Sequence, residues 1–592
     1  MIKLLKYMKW WYWLFVLAMV GIVYQQVSFD LSIPEYIGNI IRYIGIGANS
    51  GISQTSEILH EGLKMFGVAL GSISLTIIVG LIASRIGSGL ARNIREALYQ
   101  KVDQFSMKEI NEFSTASLIT RSTNDITQVQ MAVIFTLRMA ITAPIMAIKG
   151  ITKITGISDE MSLIVAVGIV LIMIMISVIF INVLPRFRKI QSLTDDLNLV
   201  TRENITGIRV IRAFNSEKYE EEKFNVVNSS LTKTNLEVNF AMAFMMPGMQ
   251  LVMSAVNLAI IWLGAILINN LSLGSNPIEG LALETQFVTY ANMIIISFMM
   301  LIMLFIMIPR AQVSGNRINE VLQKFITVKD AIMTSPIVIT NSNNPIIEYN
   351  HVNFNYEGAH ENVLNDINLK IYPGETIAIV GSTGSGKSTM VNLIPRFYDV
   401  SSGSLKIFGK DIRKYSQEDL HNLIGYVPQS GTLFSGTIRS NIKIGKDDAT
   451  DDEILKALKI SQAMEFINKL DDGLDASISQ GGKNFSGGQQ QRLGIARAVV
   501  RQPKIYIFDD SFSALDYKID KLLRKELTEQ LPDATKFIVA QRIGTIIDAD
   551  KIIVLEKGKI ACLGTHKELL QSCEVYKEIA LSQLSEEEIN HG

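Results

Sequence analysis

Six apolar runs of near bilayer-spanning length crowd the first 313 residues of this 592-residue chain, and nothing constrains its fold more. A segment crossing hydrocarbon must satisfy its backbone polar groups internally, so each run reads as a helix of about 20 residues or more. The spacing predicts spans at about 11–32, 63–86, 131–153, 161–184, 240–269 and 284–309. Beyond residue 340 the pattern changes to short apolar strands alternating with polar helices, as in a soluble α/β domain. The fold class is therefore an α-helical six-span transmembrane domain over 1–313, a linker over 314–339 and an α/β domain over 340–592.

The opening MIKLLKYMKWWYWLFVLAMVGIVY has the outline of a secretory signal, with Lys3, Lys6 and Lys9 ahead of an apolar stretch. It lacks a clear small-x-small cleavage site and five spans follow, so it reads as a retained membrane helix with Trp10, Trp11, Tyr12 and Trp13 as its interfacial belt. The loop after span two carries Arg92, Arg95, Lys101 and Lys108, and the loop after span four carries Arg186, Arg188, Lys189, Arg202, Arg209 and Arg212. The loop NNLSLGSNPIEGLALE between spans five and six has no Lys or Arg. Positive-inside bias then puts the N-terminus, both long loops and the C-terminal half in the cytoplasm, in a cell membrane. Both long loops keep apolar residues at helical spacing, which predicts membrane helices that continue into the cytoplasm.

A net charge of −1 offers no basic field for nucleic acid. Cys562 and Cys573 are not spaced as a metal knuckle, and a reducing compartment without a disulfide framework is expected. Within the spans, Gly67 and Gly71 permit close helix contact, Pro247 is a point of interruption, and Arg138 either snorkels or faces a substrate path. Met293, Met300, Met303 and Met307 fall near one face of span six, which suits either an adaptable apolar cavity or a packing stripe.

Function becomes legible in INLKIYPGETIAIVGSTGSGKSTMVNLIPRFYD. Ile377–Val380 reads as a buried strand, and Gly381, Ser382, Thr383, Gly384, Ser385, Gly386, Lys387 and Ser388 spell G-x-x-x-x-G-K-S ahead of a helix that continues through Thr389. Backbone amides of such a loop cradle phosphate oxygens, the lysine reaches the β and γ phosphates, and the serine hydroxyl can ligate Mg²⁺. A second strand, KIYIF, delivers Asp509 to the same edge, where a carboxylate belongs in a Mg²⁺ shell.

With these residues the chain resembles the ATP-binding cassette transporters, over essentially its whole length. Ser486, Gly487, Gly488 and Gln489 in NFSGGQQQR match the family signature, with Phe485 where Leu is usual; Gln429 matches the Q-loop, Asp516 closes the D-loop, and Tyr356 matches the aromatic that stacks on adenine. The resemblance implies ATP and Mg²⁺ as cofactors, with Ser388, Gln429 and Asp509 around the metal. It also implies two cassettes that sandwich two ATPs, each site using one chain's phosphate loop and the other's signature. Short helices near Ser114–Thr123 and Phe214–Glu222 would dock on the cassettes and pass ATP-driven closure to the spans.

Two residues depart from the pattern. Asp510 stands where the family has the glutamate that polarises the attacking water, and Gln541 stands where it has the switch histidine. Shortening the acid withdraws its carboxylate by on the order of 1.5 Å, and a neutral amide neither titrates nor carries charge. The chain thus resembles the degenerate-site subunit of heterodimeric bacterial ABC multidrug exporters. Its expected partner is a second half-transporter with complementary substitutions, and its expected cargo a hydrophobic or amphipathic compound in the bilayer. The alternatives are a homodimeric lipid or peptide exporter and an ATP-binding regulatory or channel-like membrane protein.

Overall fold

The computed structural model describes residues 2–270, 273–274, 276–330 and 344–583, so 331–339 of the expected linker, the first four residues of the expected α/β domain and the tail from 584 lie outside the described residues. The chain divides into two units, one of residues 1–102 and 116–324 and the other of 103–115 and 325–592.

Six helices long and apolar enough to cross a membrane lie in the N-terminal half: Trp10–Ser50, Thr55–Asp103, Thr115–Thr155, Asp159–Ala213, Glu217–Asn269 and Pro277–Gln323. They are built from α1 (Trp10–Ser50), α2 (Thr55–Asp103), α4 (Thr115–Thr120), α5 (Ile126–Thr155), α6 (Asp159–Ala213), α7 (Glu217–Ala243), α8 (Met245–Asn269) and α9 (Pro277–Gln323). Spans of 41 to 55 residues correspond to roughly 60–80 Å at the helical rise, twice or more the ~30 Å hydrocarbon core. The helices therefore continue well outside the bilayer, as their amphipathic flanks predict. Pro247 falls in the first turn of α8, immediately after the break at Phe244, where a missing N–H costs no intrahelical bond. Of the G-x-x-x-G pair, Gly71 faces the Phe29 ring of α1 while Gly67 meets open space. Arg138 is exposed, and the methionine row is not one environment, since Met293 packs on the bundle core and Met303 is 55% exposed.

Between α2 and α4 sits α3 (Met107–Phe113), which belongs with the soluble unit. Ser106 and Glu109 form a capping box that starts it. The fully buried Glu109 carboxylate also accepts from the amide and hydroxyl of Thr327, at 3.2 and 2.7 Å. Burial alone would raise the Glu109 pKa, but the Ser106 and Thr327 donors outweigh it and hold the group below the ordinary glutamate range. Asn111 donates to Tyr398 at 3.2 Å and Lys108 pairs with Glu357 at 2.9 Å. The docked segment is thus Met107–Phe113, just ahead of the expected Ser114–Thr123, because the capping box ends the preceding turn and Ser114 turns the chain with φ 57°. The other expected segment, Phe214–Glu222, forms the α6–α7 turn and leaves Phe214 76% and Tyr219 68% exposed.

Glu109→Ala is expected to cost about 2–4 kcal/mol, because four donors lose a buried charged acceptor. Thermal unfolding of the full chain and protease sensitivity at 103–115 measure this loss. A lowered carboxyl contributes stability that is present above its unfolded pKa and lost as pH falls through the folded value. The wild-type advantage over the alanine variant should therefore vanish only on the acid side of the ordinary glutamate range.

The soluble unit holds three sheets. An antiparallel sheet of β1 (Ile347–Phe354), β2 (Leu364–Ile371), β4 (Ser402–Ile407) and β5 (Lys410–Asp411) has the order β2-β1-β4-β5. The main sheet adds β3 (Thr376–Gly381), β6 (Ile424–Val427), β9 (Ile505–Asp509), β10 (Thr535–Val539), β11 (Lys551–Glu556) and β12 (Lys559–Gly564), in the order β12-β11-β3-β10-β9-β6. All its pairs are parallel except the β11–β12 hairpin. A two-stranded piece joins β7 (Gly436–Thr437) to β8 (Ser477–Ile478). The helices are α10 (Lys387–Asn392), α11 (Gln417–Asn422), α12 (Ile438–Lys443), α13 (Asp451–Ile460), α14 (Met464–Ile467), α15 (Gly487–Val500), α16 (Tyr517–Gln530), α17 (His566–Ser572) and α18 (Glu574–Leu581).

Strand residues alternate between two cores. Ile377, Ile379, Ile505 and Ile507 pack on one face, and Ala378, Val380, Tyr506 and Phe508 on the other. Burial on both faces explains why Ile505–Phe508 is continuously apolar, as a central parallel strand must be. One expectation is corrected here: Cys562 on β12 and Cys573 at the start of α18 are joined by a disulfide, their Cα atoms 6.2 Å apart. Their separation of 11 residues gave no hint of this, because the turn through α17 brings them together.

Candidate nucleotide site

Parallel register sets the site. Val539 of β10 lies beside Ile379 of β3 and Asp509 of β9, so the phosphate loop, the acid pair and the segment after β10 leave the sheet at one edge. Gly386 caps α10 in the left-handed region, with φ 102°. A Cβ there would come within 2.9 Å of Leu364 and 3.0 Å of the Val363 carbonyl, so the loop needs glycine both for its turn and for its packing.

Inside this loop the Lys387 ammonium donates to the carbonyls of Gly381 and Ser382, each at 2.8 Å. Burial pushes its pKa down, against the pull of Asp510 and Asp509. The Ser388 hydroxyl donates to Asp509 Oδ1 at 2.9 Å. Asp509 is 5% exposed, and burial raises its pKa against the Ser388 bond. A hydroxyl and a single buried carboxylate beside an amide cradle is a fitting donor set for Mg²⁺, which takes few protein ligands alongside phosphate and water. No cluster of three His, Cys, Asp or Glu side chains suited to a metal occurs among the described residues, so a self-sufficient metal cage is not what these residues form.

Asp510 follows at φ 49°, a left-handed conformation that Asp tolerates better than most side chains. Its Oδ2 accepts from Gln429 Nε2 at 3.2 Å and from Gln541 Nε2 at 2.9 Å. Burial raises the Asp510 pKa, and the two amide donors offset it in part. Three residues taken from distant motifs therefore meet on one oxygen. Tyr356 stands nearby on the antiparallel sheet side, its hydroxyl 3.1 Å from Thr389 Oγ1 and its ring edge-on to Phe354 and Tyr398.

The signature residues form a second group. Ser486 caps α15 by accepting from the Gln489 amide, and the Gln489 side chain accepts from the Ser486 amide in return. Phe485 is 9% exposed and packs at 6.1 Å from Phe466, which gives its ring a structural reason for replacing Leu. A Cβ on Gly488 would come 3.0 Å from the Ala514 carbonyl, and Ala514 N donates to Gln491. Asp516 accepts from the Ile519 amide as the cap of α16. Gly487 and Gly488 thus lie against Ala514 and Leu515, and Phe485 against Phe466.

Two features were not foreseen. Gln583 bonds the backbone on both sides of Arg542, and nothing local in the sequence marks it. Glu109 docks α3, and the S-x-x-E spacing Ser106–Glu109 was a usable signal for its capping half.

Residues 14–289 match the ABC transporter transmembrane region and residues 364–513 match the ABC transporter model. An uncharacterized ABC transporter ATP-binding protein of Mycobacterium tuberculosis is 39% identical over 541 residues, 89% of this chain and 90% of that one. The ATP-dependent lipid A-core flippase of Desulfotalea psychrophila is 31% identical, covering 83% of this chain and 84% of its own. The structure of a bacterial Atm1-family ABC exporter with ATP bound superposes with a TM-score of 0.77 at 21% identity, over 96% of this chain and 98% of that one, a likeness of fold.

Proposed function

The chain belongs to the ABC transporters, and from that premise we propose that it is the slow-site half of a two-gene exporter of hydrophobic or amphipathic compounds. It is a multi-pass membrane protein whose cassette is an ATPase coupled to transport. The observation that carries the proposal is the Asp510 carboxylate held between the amides of Gln429 and Gln541.

In this reading the loop amides from Gly381 to Thr389 hold the phosphates, Lys387 turns from loop carbonyls to the β and γ phosphates, and Tyr356 supports the adenine. Ser388 and Asp509, with Gln429, would hold Mg²⁺, which supplies charge neutralisation on the phosphates. Asp510 would accept the water's proton, and it works poorly. It is shorter than glutamate by roughly one bond, and one of its oxygens already accepts two hydrogen bonds. Gln541 donates to the γ-phosphate edge without positive charge. The capped start of α15 at Ser486–Gln489 offers free amides and a helix dipole to ATP on a second cassette. The exposed Phe214 and Tyr219 at the α6–α7 turn suit docking on that same second cassette.

Purified alone, the chain is expected to bind ATP yet hydrolyse it slowly and transport nothing. Assembled with a half-transporter bearing Glu and His at the equivalent positions, it is expected to do both. Ordinary turnover with transport by the chain alone would sink the two-gene reading. A homodimeric lipid exporter is the second reading, favoured by the 31% identity to a protein named as a lipid A-core flippase. Self-association with lipid translocation in vesicles containing only this chain would establish it. Placement of the cassette and N-terminus in the cytoplasm belongs to both readings and rests on the Lys and Arg bias of the loops.

A further inference from the structure

The backbone that carries Gln541 has left the sheet. Pairing of β10 ends at Val539, and among the described residues the Gln541 carbonyl and the Ile543 amide have one hydrogen-bond partner each. Both partners are the same side chain: Gln583 Nε2 donates to the Gln541 carbonyl at 2.8 Å, and Gln583 Oε1 accepts from the Ile543 amide at 2.8 Å. A single amide thus clamps the segment at two points, on either side of Arg542.

The arm that carries Gln583 is fixed. Tyr576 and Ala580 of α18 are fully buried, the Tyr576 hydroxyl lies 2.7 Å from His566 Nδ1, and Cys573 ties the start of the helix to β12. Helix α18 therefore ends at a set place, and the clamp has something to hold against.

We propose that Gln583 is a positioning residue for the switch segment, aiming the Gln541 amide at Asp510 and at the γ-phosphate edge from behind. The proposal rests on the reading that Gln541 and Asp510 face that phosphate. Without the clamp, the 2.9 Å bond from Gln541 to Asp510 depends on a backbone turn with no other hydrogen bond at those two atoms. The role is indirect, since among the described residues the side-chain hydrogen bonds of Gln583 go to Gln541 and Ile543 and not to the phosphate loop.

The test uses the full chain in its assembled transporter, comparing Gln583→Ala with Gln541→Ala. The probe is radiolabelled ATP with Mg²⁺, read both as affinity and as the lifetime of nucleotide retained at this chain's site after dilution. Gln583→Ala is expected to leave Tm unchanged while weakening ATP affinity at this site and shortening retention together, by about three- to tenfold, the worth of one or two hydrogen bonds. Gln541→Ala should do the same or more. Wild-type retention in Gln583→Ala beside shortened retention in Gln541→Ala would overturn the clamp alone. Wild-type retention in both would overturn the switch reading and the clamp with it. A fall in Tm in Gln583→Ala would make the residue structural and overturn the proposal.

Discussion

Replacing Asp510 with Glu and Gln541 with His together is expected to raise ATP hydrolysis at this chain's site on the order of 10²-fold in the assembled transporter. The extra methylene returns the carboxylate by about 1.5 Å toward the water. The histidine replaces one of the two amides that now occupy Asp510 Oδ2. Single-turnover hydrolysis, with the companion site disabled, isolates the effect. No increase in a well-folded pair would show that the block lies outside these two residues, in the signature supplied by the second chain. The pH profile adds a check. Because burial raises the Asp510 pKa, the residual wild-type rate should fall, as pH drops, earlier than an exposed aspartate would dictate.

Lys387→Ala is expected to weaken ATP binding at this site by about 10- to 150-fold, the equivalent of roughly 1.5–3 kcal/mol for charge-assisted hydrogen bonds. Its ammonium is already partly desolvated within the loop, so less solvation need be lost when it turns to phosphate. In the proposed pairing, partial turnover should survive at the companion site, which would use this chain's signature and not its lysine. Photolabelling with an ATP analogue, resolved chain by chain, separates the two sites. Unchanged labelling of this chain would mean that its phosphate loop does not hold the nucleotide.

The architecture was legible because two periodicities are strong. Long apolar runs admit no solution in a bilayer except helices, and the phosphate loop between a buried strand and a helix admits few meanings. Asp509 followed from that pattern, since a central parallel strand must deliver its last residue to the phosphate edge. The meeting of Gln429, Asp510 and Gln541 on one oxygen was not legible, although each had been singled out. It depends on a left-handed turn at Asp510 and on side-chain reach. Gln583 and the Cys562–Cys573 bond escaped for another reason: both depend on the path of α17 and α18 after the last strand. Such tertiary proximity leaves no local trace in composition or spacing.

Glu109 has a consequence for the order in which the molecule can be completed. Its partner Thr327 lies 218 residues downstream, so during synthesis the turn between α2 and α4 emerges with a carboxylate prepared for a group that does not yet exist. All six spans must be made before Thr327 appears. The turn can close only when the chain beyond α9 has emerged, so a chain truncated before Thr327 leaves Glu109 without two of its four donors. The same contact thereby marks whether synthesis has passed the last span.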